Sequence, residues 1–285
     1  VSHRVTALVA ALLLLFTLPA EQASATGDLP ASLTFAGTQR TYVLHVPADL
    51  EHPNGLVLNL HGGSQTGRKQ AALTNYDAVA DQHGWVVAYP DGIDLSWADG
   101  RGASTPDRNG VDDVGFLAAL IGRLSQEYRI PPGRVFVTGM SAGGFMATRL
   151  ACERPDLVAA IAPVSSTLGV GVHCNPSEPV SVLAVHGTAD SVVPYKGGRM
   201  VGRGGASTVV GVHTMADRWL AFDRCPPAAE VPVAGGKRLS TTGCADNTEV
   251  AFVTIDGWGH TWPTGHAAGF DASQASAQFF AAHGR

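Results

Sequence analysis

Apolar positions along this chain follow two alternating rhythms. Nearly continuous apolar runs at residues 41–46, 56–60, 85–89, 135–138, 159–164, 180–186 and 249–255 have the pattern of strands, most of them buried on both faces. Between them lie segments whose apolar residues recur three and four apart. Across 111–128, Val114, Leu117, Ile121, Leu124 and Tyr128 keep helical spacing, and Asp112 and Asp113 fall in the first turn, where carboxylates suit the helix dipole. Residues 69–83, 142–153, 211–222 and 270–283 read as further helices. Strands alternating with helices predict the α/β class, a mainly parallel sheet with helices on both faces. The Gly/Pro-rich stretches 91–110, 196–210 and 226–243 read as loops. No linker or repeat divides the chain after residue 30, so residues 26–285 are expected to form a single domain.

The first residues depart from this alternation. Arg4 supplies positive charge, residues 5–18 are almost unbroken apolar, Pro19 ends the run, and Ala23-Ser24-Ala25 has the small side chains of a cleavage site. This predicts a signal peptide over residues 1–25, a mature chain starting at Thr26 and a secreted product. A run of about 14 residues falls short of the ~20 that span a bilayer, so no membrane attachment is expected once the signal is removed. Apolar residues make up 45% of the chain and charged ones 15%, enough to bury a sizeable core. With a formal charge of −5 and no basic stripe, the sequence gives nucleic acid no surface to bind. A monomer is expected.

Export makes the cysteines informative. Cys152, Cys174, Cys225 and Cys244 are spaced too widely for structural zinc, and an oxidising compartment favours disulfides. Three pairings are possible. The sequential one, Cys152–Cys174 with Cys225–Cys244, closes two short loops and is the one expected.

Gly139-Met140-Ser141-Ala142-Gly143 is the only G-x-S-x-G in the chain, set between a strand run and a helix run. A sharp turn there presents the serine hydroxyl for attack, and the glycines leave room for neighbouring segments to pass close by. Such a hydroxyl needs a base, and the base needs a group to orient it. Among 11 histidines, His260 is best placed, in the loop Asp256-Gly257-Trp258-Gly259-His260 after the last strand run; His266 is second. The acid belongs on a loop after a strand between Ser141 and His260. Asp190 meets this in His186-Gly187-Thr188-Ala189-Asp190, ahead of Asp256, Asp246 and Asp217. His61-Gly62-Gly63-Ser64 ends another strand run. The N–H groups of Gly63 and Ala142 are therefore candidate oxyanion donors, with Ser64 the alternative if the register differs by one. His61 reads as a loop brace. This chemistry needs no metal and no organic cofactor.

Leu60-His-Gly-Gly-Ser-Gln, Gly139-Met-Ser-Ala-Gly-Gly, His186-Gly-Thr-Ala-Asp and Gly259-His-Thr-Trp-Pro together resemble secreted bacterial esterases of the polyhydroxybutyrate-depolymerase/feruloyl-esterase type. Asn109-Gly-Val-Asp-Asp-Val-Gly-Phe resembles them too, and the likeness runs from about residue 35 to 282. The resemblance implies the α/β-hydrolase fold, Ser141 as nucleophile, Asp190 as acid and His260 as base, and it favours the sequential cysteine pairing. One departure is Trp258, where many members have glycine.

Trp97, Trp258 and Trp262 lie in candidate loops and are candidates to stack on a planar acyl group such as feruloyl. Members that degrade solid polyester often carry a linker and a surface-binding domain. None is recognised here, so the expected substrates are soluble or polysaccharide-linked carboxylic esters, feruloyl or acetyl, with hydroxybutyrate oligomers also open. Two other readings compete with an esterase: an envelope acyltransferase using the same acyl-enzyme, and a non-catalytic surface-binding protein on the same scaffold.

Overall fold

The computed structural model describes residues 29–48, 51–265 and 268–285. The expected signal peptide, the start at Thr26 and the second-choice base His266 lie outside the described residues. The centre of the fold is six parallel strands: β4 (Trp85–Pro90), β3 (Gly55–Leu60), β5 (Val135–Met140), β6 (Ala160–Val164), β7 (Ser181–Gly187) and β12 (Val250–Ile255), side by side in that order. Antiparallel strands extend both edges. Beyond β4 lie β2 (Thr38–His45) and β1 (Leu29–Phe35); beyond β12 lie β11 (Gly236–Thr241) and β10 (Ala229–Val233). A hairpin of β8 (Gly198–Gly202) and β9 (Gly205–Val209) forms its own small sheet.

Alternate residues of the central strands enter two separate cores, which is why these strands read as continuous apolar runs. Leu56, Leu58, Leu60, Val135 and Val137 point to one side, against α4 (Asp113–Glu127), α5 (Ala142–Glu153) and α6 (Val212–Phe222). Val57, Val87, Phe136 and Leu183 point to the other, against α1 (Gly67–Thr74), α2 (Tyr76–His83) and α7 (Ala272–Ala282). A single turn, α3 (Thr105–Arg108), sits in the loop after β4.

Three departures from the sequence expectation have local causes. The helix expected over 69–83 is broken at Asn75, whose φ of 47° caps α1 through its N–H on the Ala71 carbonyl. The stretches 196–210 and 226–243, expected as loops, contain the β8–β9 and β10–β11 hairpins. Their strands are largely exposed, so they lack the apolar run that marks a buried strand, and Gly204 and Gly235 supply positive φ at the turns. Strand β1 has no apolar run either, because only every second residue is partly buried. Asp113 opens α4 in its first turn, as expected, and is fully buried: it accepts from Arg40 Nη2 and from the Ala98 N–H, both at 2.7 Å, while Asp112 caps the helix through the Gly115 N–H.

The cysteines pair sequentially. Cys152 at the end of α5 is joined to Cys174, and Cys225 after α6 is joined to Cys244. Each closes a loop of about 20 residues, a constraint on the unfolded chain of about 3 kcal/mol.

Candidate active site

Ser141 is the hinge residue between β5 and α5. Its φ of 53° and ψ of −119° are unusual for a residue with a side chain, and its N–H donates to the Val164 carbonyl at 2.9 Å. The flanking glycines are required by proximity. A Cβ on Gly143 would lie 2.1 Å from the Leu60 carbonyl oxygen, and one on Gly139 would lie 2.7 Å from the same atom. Strand β3, which carries the His-Gly-Gly loop, therefore runs directly alongside the serine turn.

Asp190 lies just beyond the C-terminal end of β7, with its carboxylate buried. Oδ1 accepts from the N–H groups of Val192 and Val193 at 2.9 and 2.8 Å, and Oδ2 accepts from His260 Nδ1 at 2.8 Å. Burial alone would raise the Asp190 pKa; the His260 contact and the two amides outweigh it and hold the carboxyl below its usual value. A carboxylate can only accept, so Nδ1 carries the imidazole proton and Nε2 is left as the ring's acceptor. His186 stands beside the pair, donating from Nε2 to the Val193 carbonyl at 2.9 Å, and burial pushes its pKa down so that it is neutral. Asp256 and Asp217 are exposed, and among the described residues it is Asp190 that hydrogen-bonds His260.

Ser141 and His260 line one cavity of about 190 Å³, together with Gly63, Ser64 and Ala142. The Ser64 N–H is occupied by the Leu95 carbonyl at 2.9 Å. Among the described residues, the N–H groups of Gly63 and Ala142 have no such partner.

The three tryptophans do not line this cavity. Trp97 and Trp262 are corrections to the sequence reading: both are fully buried, with their indole N–H groups donating to the His61 carbonyl and to Ser273 Oγ. Their large rings serve the interior, so they offer no stacking surface. Trp258 is half-buried and its N–H closes its own loop on the Thr261 carbonyl. Sequence reasoning missed Arg101, Met200 and Arg203, which do line the cavity. All three lie in the Gly-rich stretches 91–110 and 196–210, which lack periodicity, and no local pattern distinguishes them from their neighbours.

A mainly parallel sheet with helices on both faces and a serine at the turn after β5 define an α/β-hydrolase. Residues 40–193 match the family described as Esterase PHB depolymerase, and the chain belongs to that family; it is a carboxylic ester hydrolase. Over 249 residues it is 31% identical to "Putative esterase NocK" of Nocardia uniformis subsp. tsuyamanensis, covering 81% of this chain and 72% of that protein. It is 29% identical to feruloyl esterase B of Piromyces equi over 216 residues, 72% of this chain but 39% of that longer protein. Among solved structures, an acetyl xylan esterase from Aspergillus awamori superposes with a TM-score of 0.61 over 89% of this chain and 99% of that one, at 18% identity, which establishes a shared fold.

Proposed function

We propose that this chain is an exported serine esterase that cleaves short-chain carboxylic esters through an acyl-enzyme. Ser141 Oγ attacks the ester carbonyl while His260 Nε2 takes its proton, and the imidazolium then returns that proton to the departing alkoxide. Water repeats the sequence on the acyl-enzyme and frees the acid. Asp190 fixes the His260 tautomer and offsets the charge formed on the ring. The N–H groups of Gly63 and Ala142 receive the oxyanion, each worth about 3 kcal/mol to the transition state. The observation that carries this reading is the 2.8 Å contact between Asp190 Oδ2 and His260 Nδ1, made on the rim of the cavity that Ser141 also lines.

The size and lining of the cavity favour a short acyl group, acetyl or hydroxybutyryl. About 190 Å³ is small beside the ~300–1,000 Å³ of pockets that enclose drug-sized ligands, and among the described residues no Phe, Tyr or Trp lines it to receive a feruloyl group. The acetyl xylan esterase among the structural relatives fits this choice, as do polyester oligomers. Two disulfides suit an oxidising compartment, in keeping with export of the mature chain.

The test is Ser141→Ala, which is expected to keep the fold and lose 4-nitrophenyl acetate turnover by at least about a thousandfold. Labelling by a fluorophosphonate probe is expected in the wild type and absent in the variant. Turnover of the variant at the wild-type rate would sink the mechanism.

A further inference from the structure

Among the described residues, the cavity beside Ser141 is lined by two guanidiniums, Arg101 and Arg203, and by no carboxylate. Arg101 is 8% exposed. Its Nε and Nη2 bind Asp99 at 2.9 and 2.6 Å, its guanidinium lies 3.9 Å from the centroid of the Phe145 ring, and Nη1 has only the Met200 thioether, at 3.1 Å. A thioether is a weak acceptor, and a guanidinium has five N–H donors. Arg101 thus reaches the cavity wall with donors that the described residues leave without an oxygen partner.

Arg203 stands at the tip of the β8–β9 hairpin. It binds Asp94 through Nε on the carbonyl at 2.7 Å and through Nη2 on the carboxylate at 2.8 Å, with Nη1 3.4 Å from Ser64 Oγ. Arg108 ties down the same tip by donating to the Gly204 carbonyl at 2.9 Å. Both cationic groups are therefore held in place rather than swinging in solvent. Asp94 and Asp99 do not line the cavity, so a bound group meets the cationic side of each pair.

We propose that Arg101 and Arg203 form a carboxylate subsite, and that the preferred substrates are esters whose short acyl arm ends in a carboxylate, such as half-esters of small dicarboxylic acids. The inference rests on the esterase reading with Ser141 as nucleophile. Guanidiniums suit the purpose because their planar forks match a carboxylate in shape as well as charge. A neutral acyl chain would leave these donors without an acceptor.

The experiment compares kcat/KM for monoethyl succinate with that for its uncharged counterpart ethyl butyrate. A ratio of at least about tenfold in favour of the half-ester is expected in the wild type, falling about tenfold in Arg101→Gln and in Arg203→Gln and largely retained in Arg203→Lys. Raised salt is expected to lower the wild-type ratio. Succinate is expected to inhibit the wild type at least about tenfold more strongly than succinamide, a measurement that stands even if Arg101→Gln does not fold. Equal losses on both esters in the glutamine variants would overturn the subsite, since the guanidiniums would then serve any ester. Hydrolysis of ethyl butyrate with a ratio near one overturns the subsite and leaves the esterase reading standing; hydrolysis of neither ester overturns both.

Discussion

Trp97 donates its indole N–H to the carbonyl of His61 at 2.9 Å, and the two rings lie with centroids 4.9 Å apart. His61 is held on its other sides too. Its Nδ1 donates to the Gly62 carbonyl at 2.8 Å, and its Nε2 accepts from the Gly92 N–H at 2.9 Å. Burial lowers its pKa, which keeps Nε2 free to accept. The segment leading to Gly63 is thereby fixed by groups that never touch the cavity.

Trp97→Phe keeps a ring in place but strands the His61 carbonyl in a buried site. It is expected to lower stability by about 1–3 kcal/mol, the cost of an unsatisfied buried acceptor. If the brace aims the Gly63 N–H, kcat on short esters should also drop about tenfold with little change in KM, because the oxyanion forms only on the way to the transition state. Steady-state kinetics on the folded variant check this, and an unchanged kcat would detach the brace from catalysis.

How much of this was readable beforehand follows from burial. Strands β3 to β7 announce themselves because both faces meet a core, so nearly every residue is apolar. The hairpins at 198–209 and 229–241 do not, since exposed strands tolerate any polar residue. The order of Ser141, Asp190 and His260 and the glycines around them singled these residues out, and the structure pairs Asp190 with His260 and sets Ser141 and His260 on one cavity. The tryptophans misled because ring size suggests a platform, whereas in Trp97 and Trp262 the ring fills the interior and the N–H satisfies a buried acceptor. Arg101 lies in a stretch without periodicity, and its place on the cavity depends on a distant segment. Its partner Met200 is 99 residues away, and no local pattern encodes that meeting.

Gly143→Ala tests how tightly the serine turn is packed. The added Cβ would lie 2.1 Å from the Leu60 carbonyl oxygen and 2.7 Å from that of His61, backbone atoms that cannot turn aside. The expected result is a loss of stability of about 3 kcal/mol or more, or a shifted turn with activity lost, as such overpacking requires. A variant with the melting temperature and the turnover of the wild type would show that β3 and α5 can separate without cost.

Two buried histidines tie stability to pH. Burial pushes the pKa of both His61 and His186 below the ordinary value of 6.5. The unfolded chain therefore takes up protons first, so their contribution is complete above about pH 6.5 and is lost as pH falls toward the folded values. Urea denaturation is expected to give a lower midpoint at pH 6 than at pH 7.5. Replacing His186 by Gln should flatten part of that slope; an identical slope in the variant would mean that His186 does not contribute.

Asp190→Asn addresses orientation rather than charge alone. The amide can present its NH₂ to His260 Nδ1, which favours the tautomer with the proton on Nε2 and removes the base from the serine. A kcat lower by about 10³–10⁴ is expected, with substrate binding retained. Because the Asp190 carboxyl is held below its usual pKa, the wild type should keep this orienting charge to lower pH than an ordinary aspartate would. A mild loss in the variant would indicate that a different group orients the ring.

Asp223 has the opposite sign. It is fully buried just after α6, and burial raises its pKa from 3.8 to about 6, against the pull of the Thr248 hydroxyl and the Val180 N–H. The folded chain thus holds this proton more tightly than the unfolded one. The associated stability is present below about pH 3.8, is lost as pH rises toward about 6, and leaves a constant penalty above that. Asn at this position cannot ionise and escapes the penalty. Relative to the wild type, Asp223→Asn is expected to gain about 2–3 kcal/mol between pH 4 and pH 7.5, with every other titrating group cancelling in the comparison. Paired urea titrations at the two pH values measure the shift. A difference between the two proteins that stays constant with pH would mean that Asp223 ionises as readily in the folded chain as in the unfolded one.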